Sequence, residues 1–140
     1  MTDAKGEGMK IAILIFMFMG HLLDDYVLQG WLAKAKQKIW WKENVPGDLY
    51  KHDWVMALLC HCLSWSISTM LPIIIWSIST GNQLGFLWFA LPVNLSIHFV
   101  VDDLKANRMK INLIVDQSIH FVQILATWGI WLAMFWEKLL

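Results

Sequence analysis

Four long apolar stretches alternate with short polar stretches along the chain. They cover about residues 9–29, 54–79, 84–101 and 111–135, and each has about 18 to 26 residues. At a rise of about 1.5 Å per residue, a helix of that length crosses the roughly 30 Å hydrocarbon core of a bilayer. The pattern therefore predicts four membrane spans, and all four should be helices because lipid offers backbone groups no other partner.

Composition favours the same class of protein. The 140 residues are 58% hydrophobic, include ten Trp and have a mean hydropathy of +0.52. We expect one domain, residues 1–140, that is an all-α polytopic membrane protein with four transmembrane helices in an antiparallel bundle. Pro72 and Pro92 fall inside the second and third spans, where proline can kink a helix. The apolar run after the N-terminal residues lacks a small-residue cleavage site, so we interpret it as an anchor.

The distribution of basic residues predicts an orientation. Two loops contain Lys34, Lys36, Lys38, Lys42 and Lys51, and Lys105, Arg108 and Lys110; the opposite side has Lys5, Lys10 and Lys138. By the positive-inside rule, both basic loops should be cytoplasmic and both termini outside. The basic, Trp-containing segment 31–43 is expected to lie along the headgroup surface as an amphipathic segment, or to act simply as a positive anchor with a Trp belt.

Polar residues inside the spans recur at a spacing of four. The pairs are His21 and Asp25, His98 and Asp102, and Asp116 and His120; the second span adds His61, and Gln29 and Gln117 lie close by. Side chains four apart share one helix face. In an antiparallel bundle, all of these residues fall at a similar depth in the cytoplasmic half. The sequence therefore predicts that they converge in the bundle interior.

A buried carboxylate needs a partner or a metal ion, and few basic side chains are expected at this depth. The predicted metal ligands are His21, Asp25, His61, His98, Asp102, Asp116 and His120. Imidazole and carboxylate together favour one or two divalent ions, zinc first and manganese or iron next. Each Asp could instead orient a His that binds the metal. A proton relay without metal, or polar contacts between helices, are the alternatives.

Other polar residues receive structural interpretations. Asp24 and Asp103 lie beside the pairs but about 100° around an α-helix, so we place them at the interface, outside the cluster. His52 and Asp53 are expected to form the start of the second helix among the headgroups. Cys60 and Cys62 are interpreted as packing residues rather than ligands.

The polar residues lie in four short motifs, in the order HLLDDYVLQ, LLCHCL, HFVVDDLK and DQSIH. With these motifs the chain resembles a family of small bacterial and phage membrane proteins known as domain of unknown function 3307. The resemblance implies a bacterial inner-membrane location and supplies no activity. It maps the recurring polar positions of the family onto His21, Asp25, Gln29, His61, His98, Asp102, Lys105, Asp116, Gln117 and His120. A looser similarity is to predicted membrane-bound metal-dependent hydrolases.

Three functions are compatible with these residues. The first is a membrane-embedded metal-dependent hydrolase acting on a phosphate- or ester-containing substrate, with catalytic roles for Asp25, Asp116, Lys105 and Gln29. The second is a transporter or channel subunit for a metal ion or protons, although the outer halves of the spans look almost purely apolar. The third is a non-catalytic membrane effector. The expected partners are the lipid bilayer, a divalent metal, a small anionic or lipid substrate and a second copy of the chain. The balanced charge argues against nucleic acid.

Overall fold

A computed structural model describes residues 2–81 and 84–135, and all regular elements in these ranges are helical. Lys138 and loop residues 82–83, which entered the orientation prediction, lie outside the described residues. The elements are α1 (Thr2–Leu23), a π-helical turn (Asp24–Leu28), α2 (Leu32–Ala35), α3 (Lys38–Asn44), a 3₁₀ turn (Asp48–Tyr50), α4 (Asp53–Thr80), α5 (Leu84–Ala106) and α6 (Leu113–Phe135).

The four long helices form a closed ring. α1 packs against α4 and α6, and α5 packs against α4 and α6. Four segments are long and apolar enough to cross a membrane: Gly6–Leu28, Asp48–Thr80, Gly85–Ala106 and Leu113–Met134. The predicted four-helix architecture is confirmed for the described residues. The third helix ends five residues later than predicted, and α4 and α5 continue through Pro72 and Pro92.

Apolar side chains lie both inside and outside this ring. The core contains large buried side chains such as Met17, Trp65, Ile73 and Trp131. Many equally large side chains face outward, including Trp88, which is 81% exposed. An outer surface of this kind would be very unfavourable in water. Together with the four spans, it indicates a membrane protein.

Gly20 lies where the backbones of α1 and α4 approach each other most closely. A Cβ atom added at Gly20 would collide with the carbonyl group of Ser68 and lie 3.2 Å from the Cα atom of Thr69. Only glycine therefore allows this approach. The next residue is His21, so the close contact sets how deeply His21 enters the bundle.

The basic segment after the first span folds back onto the bundle. Ala35 of α2 is fully buried, and α2 packs against α4. Trp31, Trp40 and Trp41 pack edge to face, with ring centroids 5.1 to 6.0 Å apart. The location of this segment along the headgroups stays a prediction. Within it, Lys36 points into the end of the bundle, next to the buried Ala35.

Candidate metal centre

Four histidines from the four long helices lie together at one end of the bundle. His21 is near the end of α1, His61 is early in α4, His98 is late in α5 and His120 is early in α6. All four are fully buried. Antiparallel neighbours bring these positions to the same depth. With the carboxylates around them they form what we call the His/Asp cluster: His21, Asp24, Asp25, His61, His98, Asp102, Asp116 and His120.

Asp25, His61 and His98 form a first group whose atoms are arranged to hold a metal ion. The Nε2 atom of His61 lies 3.3 Å from Nε2 of His98 and 3.4 Å from Oδ1 of Asp25. Ligand atoms of a tetrahedral zinc ion, each about 2.0 to 2.1 Å from the metal, are separated by about 3.3 to 3.4 Å. The two measured separations match that tetrahedral edge.

His98, Asp102 and His120 form a second group, which shares His98 with the first. The Oδ1 atom of Asp102 lies 3.6 Å from Nε2 of His120 and 3.8 Å from Nε2 of His98. These distances are slightly wider than in the first group. The Oδ2 atom of Asp102 also lies 3.3 Å from Nε2 of His61, so Asp102 borders both groups.

Four buried polar atoms in this cluster have no hydrogen-bond partner among the described residues, and two of them lie on the side of α6. These two are Nε2 of His120 and Oδ1 of Asp116, and they lie 3.5 Å apart. Buried polar atoms nearly always form hydrogen bonds, so unpaired ones mark a position that suits an ion or a water molecule. The donor set and its unsatisfied atoms therefore fit a divalent cation.

His21 belongs to the cluster but lies outside both groups. The indole N–H of Trp65 donates to Nδ1 of His21 over 2.8 Å, and an indole nitrogen can only donate. The proton of a neutral His21 ring is therefore on Nε2, which donates to Oε1 of Gln117 over 3.0 Å. Both ring nitrogens are used, so in this arrangement His21 positions its neighbours and offers no lone pair to a metal ion.

The side chain that accepts this hydrogen bond, Gln117, also donates to two carboxylates. Its amide nitrogen donates to Oδ2 of Asp25 over 3.1 Å and to Oδ2 of Asp116 over 3.0 Å. The sequence placed Gln117 beside Asp116 without giving it a role. In the structure, Gln117 connects α6 to α1 and orients Asp25, the carboxylate of the first group.

Two lysines enter the cluster from its open end. Nζ of Lys36 donates to Oδ2 of Asp102, and Nζ of Lys105 donates to Oδ2 of Asp116, each over 2.6 Å. The expectation that few basic side chains reach this depth is therefore wrong. Lys36 was not singled out from the sequence, because nothing in residues 34–38 distinguishes it from Lys34 and Lys38. Its inward direction follows from the burial of the neighbouring Ala35, which the structure shows.

Asp24 is fully buried in the cluster, so its predicted peripheral position is wrong. The chain leaves the α-helical spacing at this point, since Gln29 N–H donates to the Asp24 carbonyl five residues earlier. A π-turn is wider than an α-turn and lets both adjacent carboxylates face inward, and such turns are frequent at functional sites. Ser64 donates to Oδ1 of Asp24 over 2.6 Å. Oδ2 lies 3.6 Å from Nδ1 of His61, and neither atom has a hydrogen-bond partner in the described chain.

The remaining polar residues singled out in the sequence lie outside the two groups. Asp103 lies outside the cluster, as predicted; it is buried, and Arg108 from the loop after α5 donates to its Oδ2 over 2.6 Å. Cys60 is exposed and Cys62 is buried, and neither belongs to a metal-binding group. His52, directly before α4, is exposed.

Two adjoining cavities connect the cluster with the surface at the lysine-rich end. The inner cavity has about 180 Å³ and the outer one about 320 Å³. Both are lined by Gln29, Lys36, Asp102 and Lys105, and the inner one also by Asp25 and Gln117. The amide of Gln29 donates to the Asp25 carbonyl, which holds Gln29 at the rim. A small polar molecule can therefore approach Asp25 and Asp102 from this end.

A second polar set lies deeper in the bundle, which the apolar appearance of the outer half-spans did not predict. Gln123 donates to Oδ1 of Asn94 over 2.9 Å, and Thr127 donates to the same atom over 3.1 Å. Asn94, Gln123 and Thr127 are all buried. Asn94 lies four residues before His98, and Gln123 and Thr127 continue the helix face of Asp116 and His120, so this spacing was a signal that the sequence analysis did not use.

The profile of one family, described as a protein of unknown function (DUF3307), matches residues 13–138. The chain belongs to this family. The match covers the second half of α1, the other three long helices and every residue of the His/Asp cluster. No curated protein matches the chain, and no solved structure matches it.

Proposed function

We propose that this DUF3307 protein is a membrane-embedded, metal-dependent hydrolase of a phosphate- or ester-containing substrate. The observation that carries the proposal is the first group, Asp25, His61 and His98, whose Asp25 lines a polar cavity. Three protein ligands with a fourth position open to water are typical of catalytic zinc sites, whereas structural sites are closed by four protein ligands. Zinc is accordingly the proposed ion.

The charge balance of the cluster supports a bound cation. Four buried carboxylates, Asp24, Asp25, Asp102 and Asp116, face the ammonium groups of Lys36 and Lys105. With all four histidines neutral, as metal ligation requires, two negative charges remain, and an uncompensated buried charge is strongly unfavourable. One divalent cation would neutralise these two charges. The carboxylates without a lysine partner are Asp24 and Asp25, directly after α1 and next to the first group.

The residues around the open position have distinct proposed roles. A bound ion would act as a Lewis acid and generate a nucleophile from water. Asp102 is the nearest carboxylate outside the first group, so it is the proposed general base; Asp116, one of the residues given a catalytic role from the sequence, is the alternative. Lys105 is 34% exposed and uses one of its donors on Asp116, so it can also bind an anionic oxygen of the substrate. Gln29 at the rim is proposed to help orient that substrate.

The proposed setting is the inner membrane of a bacterium. The basic loops 30–52 and 107–112 would be cytoplasmic and both termini periplasmic, as the positive-inside rule implies. The cavities over the cluster would then open towards the cytosol and the inner leaflet. A second copy of the chain as partner stays a proposal that rests on the small size of the bundle.

The test begins with metal content. The full chain is purified in detergent without chelators and analysed for metals, beside His98→Ala, Asp25→Asn and the control His52→Ala, which removes an exposed histidine. We expect a near-stoichiometric divalent metal in the wild type and the control, and its loss in the other two variants. A wild type that stays metal-free after incubation with zinc would overturn the proposal. Turnover of phosphate esters and lipids is then measured on the metal-loaded protein.

Transport of a metal ion or of protons is the second candidate. The buried set Asn94, Gln123 and Thr127 favours it, because it continues the line of polar groups beyond the histidines. The apolar core around Met17, Ile73 and Trp131 in the same half of the bundle argues against a continuous polar path. Zinc or proton flux into liposomes, without substrate turnover, would favour transport over hydrolysis.

A further inference from the structure

A separate cavity of about 430 Å³ lies outside the bundle, between α3 and the start of α4. Its walls include Lys38, Trp41, Lys42, Tyr50 and Lys51. It shares no lining residue with the cavities over the His/Asp cluster. A ligand in this cavity would therefore bind independently of the proposed metal centre.

The cavity is positively charged. Its lining includes three lysines and one carboxylate, that of Asp48. Lys42 and Lys51 are exposed, and neither forms an ion pair with a described residue. Lys38 is partly engaged, since its Nζ lies 4.0 Å from the centre of the Trp54 ring. The two unengaged ammonium groups make the cavity suited to an anionic group.

One wall of the cavity is aromatic and held in place. The rings of Trp41 and Tyr50 are stacked, with centroids 6.4 Å apart and planes at 17°. The indole N–H of Trp41 donates to the carbonyl of the buried Ala35 over 2.6 Å, which ties this wall to α2. A rigid apolar face beside lysine ammonium groups fits a molecule that has an anionic group and a hydrocarbon part.

The position of the cavity indicates that such a molecule would come from the membrane. The second membrane-spanning segment begins at Asp48, so the cavity lies where the chain enters the apolar layer. Tryptophan and tyrosine are enriched at that depth, among the lipid headgroups. Basic side chains beside a membrane span attract anionic lipids. The volume of about 430 Å³ is within the usual range for small-molecule sites.

We propose that this cavity binds the headgroup of an anionic phospholipid. The phosphodiester lies between Lys42 and Lys51, and the glycerol carbons lie on the Trp41 and Tyr50 rings. The site anchors the loop 36–52 and so helps to hold Lys36, at the start of this loop, against Asp102.

Binding is tested with the full chain in detergent, titrated with short-chain phosphatidylglycerol, short-chain phosphatidylcholine and inorganic phosphate. The variant is Lys42→Gln with Lys51→Gln. The matched control is Lys34→Gln with Lys110→Gln, which removes two exposed lysines at the same end outside the cavity. We expect saturable binding of phosphatidylglycerol by the wild type and the control, and about tenfold weaker binding by the variant.

Three outcomes would overturn the proposal. They are equal binding of both lipids, equal weakening in the control variant, and displacement of the lipid by inorganic phosphate at the same concentration. The last result would show a site for free phosphate. Replacing Lys42 and Lys51 by Arg keeps the charge and should keep binding, which separates loss of the site from loss of folding. Metal content should be the same in all variants, so failure here and failure of the hydrolase proposal are distinguishable.

Discussion

The Nε2 atoms of His61 and His98 lie 3.3 Å apart, although the residues are 37 positions apart in the chain. The His98 ring is stacked on Trp65 with a centroid separation of 4.1 Å, and its Nδ1 faces Nδ1 of His120 at 3.2 Å. One imidazole thus contacts a histidine on each side, and its plane is set by an indole. His98 therefore lies between the other histidines, and both candidate metal groups contain it.

Because it belongs to both groups, His98 should matter more for metal binding than His120. We expect His98→Ala to lose all bound zinc, and His120→Ala to retain the ion held by Asp25 and His61 with reduced affinity. Zinc titration of the metal-depleted proteins, followed by a competing chelator dye, measures the difference. Equal loss in the two variants would show that the second group, rather than the first, holds the ion.

Asp24 should increase the zinc affinity of the first group by acting through His61. Its Oδ2 lies 3.6 Å from Nδ1 of His61, so it is placed to accept the ring proton when Nε2 binds a metal. Removing such a carboxylate typically weakens metal binding about 10- to 100-fold. We therefore expect Asp24→Asn to bind zinc in that weaker range with unchanged stoichiometry.

The control for this variant is Asp103→Asn, which alters a buried carboxylate that contacts Arg108 instead of a histidine. It should keep the wild-type zinc affinity. An Asp103→Asn protein as impaired as Asp24→Asn would mean that loss of any buried charge at this end disturbs the fold, and that Asp24 has no special role.

Lys36 should oppose metal binding. Its ammonium group lies 2.6 Å from Asp102, whose Oδ2 atom lies 3.3 Å from Nε2 of His61, so its positive charge competes electrostatically with a cation in the first group. We expect Lys36→Gln to bind zinc more tightly than the wild type, and to be less stable when metal-free because a buried carboxylate loses its partner. Thermal unfolding with and without zinc measures both effects. Lower zinc affinity in this variant would contradict the proposed competition.

Gly20→Ala should damage both the fold and the centre. The added methyl group collides with the Ser68 carbonyl and pushes α1 away from α4, next to His21. Overpacking of this kind costs about 1 to 3 kcal/mol. We expect a lower unfolding temperature in detergent together with weaker zinc binding.

Gly129→Ala is the matched control, since a Cβ atom there meets nothing within 4 Å and alanine favours helix. It should be at least as stable as the wild type and bind zinc normally. Normal stability and zinc binding in Gly20→Ala would show that α1 and α4 do not need this close approach.

The helices could be predicted from the sequence because apolar runs of this length have few alternatives in a bilayer. The four spans and the shared depth of His21, His61, His98 and His120 follow from hydropathy and antiparallel order alone. A spacing of four predicted three pairs on inward faces. These are local properties, set by helical geometry and by the solvent that each face prefers.

The details of the site could not be predicted from the sequence, because they depend on packing between residues that are far apart in the chain. The π-turn after α1 brings Asp24 inward, and the burial of Ala35 brings Lys36 to Asp102; neither has a periodic signal. Trp65 and Gln117 occupy both nitrogens of His21, which separates it from His61 and His98 although the sequence treats the histidines alike. Which nitrogen lone pairs stay available for a metal is a matter of hydrogen bonds across helices, and only the tertiary structure sets those.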